Sequence, residues 1–231
     1  TYSRSAGVKI DKPFINMAPY PLLPDKYIVI YTGSGNACKN YSYWQEVVDF
    51  ISDKLSNTKV VQLGGPEDQA IIGAIHLQGK TSIAQSAYII QNSLLVCGND
   101  SMLGHIAGSL NIPVVLLYGP TCSIQHGPYW KTDNSILINS HRNGKLPSFH
   151  FNENPKTVDL IKPEEVIKAI TKILDLKLDF NIETFYIGPK YNQKVFDVVP
   201  DCIVGPDSFK EIILNIRLDY LNNVEVLAQQ L

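Results

Sequence analysis

The chain has 231 residues, 45% of them hydrophobic and 18% charged, which is the composition of a globular protein able to bury a core. A formal net charge of −2 argues against a partner held by bulk charge, so no nucleic acid is expected. No apolar run approaches the ~20 residues of a membrane helix, and no secretory leader pattern opens the chain. The four cysteines (Cys38, Cys97, Cys122 and Cys202) form no C-x-x-C pair and read as free thiols, as expected in a reducing compartment.

In chain order, Thr1–Asp25 holds Pro13, Pro19, Pro21 and Pro24 and no helical period, which predicts a linker over 1–25. A Rossmann-like domain is predicted over 26–178. Its first strand is Tyr27–Tyr31, and the Gly33-Ser34-Gly35 turn follows. Trp44, Val47, Val48, Ile51 and Leu55 predict a helix over about 43–55. Next come a strand at Val60–Leu63, a short one at His76–Gln78, and a helix around Ile83–Gln91. A strand is expected at Leu94–Cys97, a helix over Ser101–Leu110, and strands at Val114–Tyr118 and Ile136–Ile138. Pro163-Glu164-Glu165 opens a further helix, with proline at its first position and acids in its first turn.

Apolar strands alternating with helices predict an α/β fold, a doubly wound parallel sheet covered on both faces. Residues 179–231 read as a C-terminal α/β extension. Short strands are expected there at Thr184–Ile187 and Lys194–Val199, and a long amphipathic helix over about Asp207–Gln229.

Ligands of such sheets bind beyond the carboxyl ends of the strands, and four loops fall there. The first, Gly33 to Lys39, offers close backbone approach and a lysine suited to phosphate, although a plain surface turn would look the same. In the second, Gly64-Gly65-Pro66-Glu67-Asp68, a carboxylate could accept from ribose hydroxyls or merely favour the positive end of a helix. In the third, Cys97 to Gly108, Asn99, Asp100 or Ser101 caps a helix whose free first-turn amides suit a pyrophosphate. There His105 either reaches the ligand or is a structural residue. The fourth, Tyr118-Gly119-Pro120-Thr121, is a ligand loop or an ordinary strand-ending turn.

The order of these segments resembles glycosyltransferase family nine, the ADP-heptose:lipopolysaccharide heptosyltransferases. The matching pieces are Asn99-Asp100-Ser101 with His105-Ile106-Ala107, Asn111-Ile112-Pro113-Val114-Val115 and Tyr118-Gly119-Pro120-Thr121. Leu77-Gln78-Gly79-Lys80-Thr81-Ser82-Ile83 and Ile161-Lys162-Pro163-Glu164-Glu165-Val166 complete the pattern over about 26–175.

The resemblance implies the C-terminal, donor-binding half of a GT-B fold. It implies a nucleoside diphosphate sugar held by Gly33, Lys39, Gly65, Glu67, Asn99, Asp100, Ser101, Met102, His105, Gly119 and Thr121. Lys39 would meet donor phosphates, Glu67 the ribose, and the amides around Asp100–Leu103 the pyrophosphate. No metal or other cofactor is expected, since amides and a lysine can neutralise the departing diphosphate. The family's acceptor domain and its catalytic base lie outside this sequence, so the base is carried onto no residue. A glycan acceptor is expected through that missing N-terminal domain, and the chain alone is expected to be inactive.

The implied location is cytoplasmic, or peripheral to the inner membrane. Met102-Leu103 stand where the family has Gly-Pro, so crowding of the phosphate site is expected. That departure, the missing base and the tail also suit a second reading, a degenerate interaction module without catalysis. A third is another GT-B enzyme, such as a sugar-nucleotide epimerase using His105 and Glu67 as acid and base.

Overall fold

The computed structural model describes residues 7, 11–21, 23–55, 57–150, 152–177, 195–198 and 213–216. The chain divides into two compact units, 1–182 and 183–231.

The first unit is built on six parallel strands: β1 (Tyr27–Tyr31), β2 (Lys59–Leu63), β3 (Ile75–His76), β4 (Val96–Asn99), β5 (Val114–Tyr118) and β6 (Ile136–Asn139). Their order is β3-β2-β1-β4-β5-β6, so the winding reverses between β1 and β4. This is the doubly wound Rossmann-like α/β fold. The strand expected at Leu94–Cys97 lies two residues later, because Leu94 and Leu95 lead in from the preceding turn. Leu95 is still fully buried.

The helices are α1 (Trp44–Lys54), α2 (Ile83–Gln91), α3 (Met102–Ser109), a single turn α4 (Ser123–His126), and α5 (Pro163–Ile173). Alternate side chains of β1 explain how the sheet is covered. Ile28 and Ile30 join a core with Trp44, Val48 and Ile51 of α1 and Val166 and Ile170 of α5. Tyr27, Val29 and Tyr31 join a second core with Ile89 and Ile90 of α2 and Leu103, Ile106 and Ala107 of α3. Burial on both faces explains why β1 reads as an unbroken apolar run.

Within residues 11–25 the described part holds no helix or strand. Ile15, Tyr20 and Leu23 nevertheless pack on the second core, and the Ala18 N–H donates to the Ala84 carbonyl at 3.1 Å. Cys97 and Cys122 are free thiols, and Cys97 is 1% exposed within β4. Burial pushes its thiol pKa well above the ordinary range.

In the second unit, β7 (Val195–Val198) pairs in parallel with β8 (Ile213–Ile216). β7 falls within the strand expected at Lys194–Val199. β8 corrects the helix expected over about Asp207–Gln229: at 213–216 the chain is strand. A short run rich in isoleucine and leucine has no period of its own, so a tertiary pairing decides its conformation. The rest of that helix and the strand at Thr184–Ile187 lie outside the described residues.

Candidate active site

The loops after β1, β2 and β4 enclose a cavity of about 600 Å³ at the point where strand order reverses. Gly33, Lys39, Gly65, Asp100, Ser101 and Met102, all expected at the site, line it.

Asp100 is the organising group. It is 6% exposed just past β4, and its N–H donates to the Leu117 carbonyl at 3.2 Å. Its Oδ2 accepts from Lys39 Nζ at 2.7 Å and from Thr121 Oγ1 at 2.8 Å. His126 Nδ1 stands 3.7 Å from the same oxygen, and its ring is tilted against Phe149. Thr121 is thus a buried prop for the carboxylate and does not line the cavity. Lys39, its side chain 18% exposed, lines the cavity while paired with Asp100, which places it to bridge that carboxylate and an incoming anion.

Asn99 is also structural. It is fully buried, donates to the Thr32 carbonyl at 2.6 Å, and accepts from Trp44 Nε1 at 3.2 Å and the Tyr41 N–H at 3.4 Å. With its amide committed to tying β1 to the start of α1, it has little left for a ligand.

Gly119 is enclosed too: a Cβ there would lie 2.5 Å from the Val158 nitrogen. His105 is exposed on α3 and does not line the cavity. Partial desolvation lowers its pKa most, and the nearby His126 and Lys39 lower it further, against the pull of Asp100.

The second loop places its two acids differently. Glu67 is exposed, whereas Asp68 faces the cavity, where its Oδ2 accepts from the Gly65 N–H at 2.8 Å. A Cβ on Gly33 would fall 1.8 Å from Asp68 Oδ1, so the missing side chain is what admits the carboxylate. Gln62, fully buried on β2, donates to the Gln69 carbonyl at 2.8 Å and accepts from the Ile71 N–H at 2.9 Å. It thereby holds the far side of that loop.

Arg142 carries a role that no local pattern announced. It is 8% exposed and donates to the carbonyls of Gly119 (2.6 Å), Ser140 (3.0 Å), Tyr118 (3.4 Å) and Thr121. The backbone is left-handed at Arg142 (φ 48°) and Asn143 (φ 51°), a strained turn held by those bonds. Burial lowers the guanidinium pKa, and Cys122 and Glu153 push it back up. The result is one connected frame, Arg142 to Thr121 to Asp100 to Lys39.

α3 begins with Ser101 in extended backbone (φ −154°), and the Ser101 side chain makes no capping bond. The first-turn N–H groups therefore lack an internal partner where they meet the cavity wall. The expected crowding at Met102-Leu103 does not close the space. Leu103 is 7% exposed and belongs to the second core, while Met102 is 51% exposed at the rim. Further lining comes from Tyr31, Thr81, Ile83 and Ser86. The Thr81 and Ser86 hydroxyls are paired at 2.8 Å.

Residues 5–157 match the family described as "Glycosyltransferase family 9 (heptosyltransferase)". The chain belongs to that family. Lipopolysaccharide heptosyltransferase 3 of Escherichia coli (strain K12) is 29% identical over 165 residues, 65% of this chain and 47% of that protein. Lipooligosaccharide heptosyltransferase 2 of Haemophilus influenzae is 44% identical over 107 residues, 43% of this chain and 29% of the relative. The family 9 chain thus spans less than half the length of these two relatives.

Among solved structures, a family 9 glycosyl transferase from Veillonella parvula superposes with a TM-score of 0.51 at 23% identity. That match covers 67% of this chain and 48% of the other. The dodecameric iron-containing heptosyltransferase TibC of enterotoxigenic E. coli, solved in complex with ADP-D-beta-D-heptose, gives 0.57 at 19% identity, covering 73% and 51%. At these identities the superpositions establish the fold. Among the described residues, no helix is long and apolar enough to cross a membrane.

Proposed function

We propose that this chain carries the nucleotide-sugar donor site of a heptosyltransferase-like enzyme. The whole enzyme would transfer a sugar from a nucleoside diphosphate carrier to a glycan hydroxyl. The observation that carries this reading is the cavity at the strand-order reversal, where Lys39 and the unfilled first turn of α3 converge.

Amides and an ammonium attract a diphosphate, and they stabilise it further as charge builds on the leaving group. Lys39 supplies the charge, and Asp100 fixes the lysine's position. Asp68, in place of the Glu67 expected from sequence, is the acid set to accept from ribose hydroxyls. Thr81 and Ser86, with Ile83 beside them, offer a wall of hydroxyl and apolar groups for the rest of the nucleoside. TibC, which shares the fold, is described with ADP-D-beta-D-heptose bound, which supports ADP as the first probe. The acceptor would be a glycan brought by parts of the enzyme outside this sequence, and the site of action would be the cytoplasm.

Calorimetric titration of the full chain with ADP tests the reading. Binding should be saturable and should weaken about a hundredfold in Lys39→Met, the loss expected for a charge-assisted phosphate contact. Circular dichroism at the titration temperature checks that the variant is folded. No heat at millimolar ADP, or equal affinity in the folded variant, would overturn the donor-site reading and leave the non-catalytic interaction module as the better account.

A further inference from the structure

Asp100 Oδ2 takes a charged bond from Lys39 at 2.7 Å and a hydroxyl bond from Thr121 at 2.8 Å. Lys39 and Asp100 together are neutral, so the pair by itself draws a diphosphate only weakly. One more positive charge beside that carboxylate would change the balance, and the fold places an ionisable group there. His126, the last residue of α4, holds its Nδ1 3.7 Å from the same oxygen. That is too long for a hydrogen bond from a neutral ring, yet close enough for a charged ring to be felt.

The ring is held where it stands. The His126 N–H donates to the Cys122 carbonyl at 3.0 Å, and the imidazole lies tilted at 30° to Phe149, with centroids 5.8 Å apart. Phe149 is itself fixed, since its N–H donates to the Pro120 carbonyl at 2.9 Å. Its backbone is left-handed (φ 54°), which is uncommon for a bulky side chain. An aromatic neighbour suits the charged form of an imidazole. The ionisable groups around His126 are Asp100 ahead of α3, His105 on α3, Lys39 after β1 and Cys122 at the head of its own helix. Asp100 is the one carboxylate among them. His126 does not line the cavity, so it meets a ligand there through Asp100.

We propose that His126 is a positioning residue that sets the charge of the Lys39–Asp100 pair and takes up a proton from solvent when a diphosphate binds. The inference deepens the donor-site reading and rests on it. With a neutral ring, the three groups carry no net charge. With an imidazolium they carry a single positive charge, Asp100 is shared between two cations, and Lys39 is freer to turn to phosphate. Linkage is reciprocal, so the bound anion tightens the ring's hold on its proton as much as the proton tightens the site's hold on the anion.

Calorimetric titration of the full chain with ADP, in two buffers of different ionisation heat, counts the protons taken up on binding. At about pH 7.5 the terminal phosphate of ADP, with a second pKa of about 6, is already ionised and supplies no uptake of its own. Wild type should take up a fraction of a proton there, and His126→Gln clearly less. Wild type should bind ADP about tenfold more tightly than His126→Gln at about pH 6, and within about twofold of it at about pH 8.5. His126→Lys, which fixes the charge, should bind more tightly than wild type at the higher pH. The His126 side chain is 40% exposed, so both variants should fold, which circular dichroism checks.

No proton uptake by wild type overturns the proposal whether or not the variants fold, and leaves the donor site standing. So does a His126→Gln affinity loss that is the same at both pH values. Uptake that falls as far in His105→Gln assigns the proton to the other imidazole and also overturns it. If wild type binds inorganic pyrophosphate but not ADP, the nucleotide reading falls and His126 is judged on the same affinity ratio measured with pyrophosphate. If wild type binds neither, both readings fall.

Discussion

Two neighbouring helices, α2 and α3, start on the same residue type and finish the job differently. Ser82 accepts from the Gln85 N–H at 3.2 Å while Gln85 Oε1 accepts from the Ser82 N–H at 3.0 Å, so α2 closes its own first turn. Ser101 has the same extended backbone before α3 but makes no such bond. The contrast separates stability from readiness to bind. A reciprocal cap is worth about 1 kcal/mol, and α3 forgoes it where its amides face the cavity.

The sharpest way to break this contrast is Ser101→Asp. A carboxylate there caps α3 and competes with the ligand for the same amides. ADP affinity should fall at least about tenfold with no loss of thermal stability, as calorimetry and an unfolding scan would show. An unchanged affinity would mean that the first turn of α3 is not where the diphosphate sits.

The converse change, Ser82→Ala, should cost about 1 kcal/mol in urea unfolding and leave ADP affinity within about twofold. A large affinity loss would show that the two helix starts are not functionally distinct.

The smallest effect concerns acid. The pKa of His105 is lowered in the fold, so the unfolded chain binds the extra proton first as pH falls. Stability linked to this group is present above the unfolded value of about 6.5 and is lost as pH falls below it toward the folded value. His105→Gln should flatten the decline in unfolding temperature between about pH 7.5 and 5.5. A decline as steep as that of wild type would assign the acid sensitivity to other groups.

The sheet was legible because its central strands β1, β4 and β5 are buried on both faces, and β5 and α2 form where their sequence patterns end. The cavity was half legible. Glycine turns and a lysine beyond strand ends mark ligand loops, and Gly33, Lys39, Gly65, Asp100, Ser101 and Met102 do converge. Two kinds of information were not in the local pattern. The first is which of two adjacent acids turns inward. The Gly65–Asp68 turn, closed by the Asp68 N–H on the Gly65 carbonyl at 3.2 Å, brings in Asp68 and leaves Glu67 in solvent. The second is long-range pairing. Arg142 stands in no motif, and its grip on four carbonyls depends on β5 and β6 lying side by side. Asn99 is the same lesson reversed, a polar residue at a ligand loop whose partners prove to be Thr32, Tyr41 and Trp44.

Cys97 gives the sheet a built-in clock. Its sulfur is sealed inside the central strand β4, flanked by β1 and β5, and is held protonated, so an alkylating reagent finds neither access nor thiolate in the closed sheet. Labelling at this position proceeds only in molecules whose middle strand has momentarily come apart. Its rate therefore counts those openings directly, and slower labelling with ADP present would register how tightly the ligand holds the sheet shut.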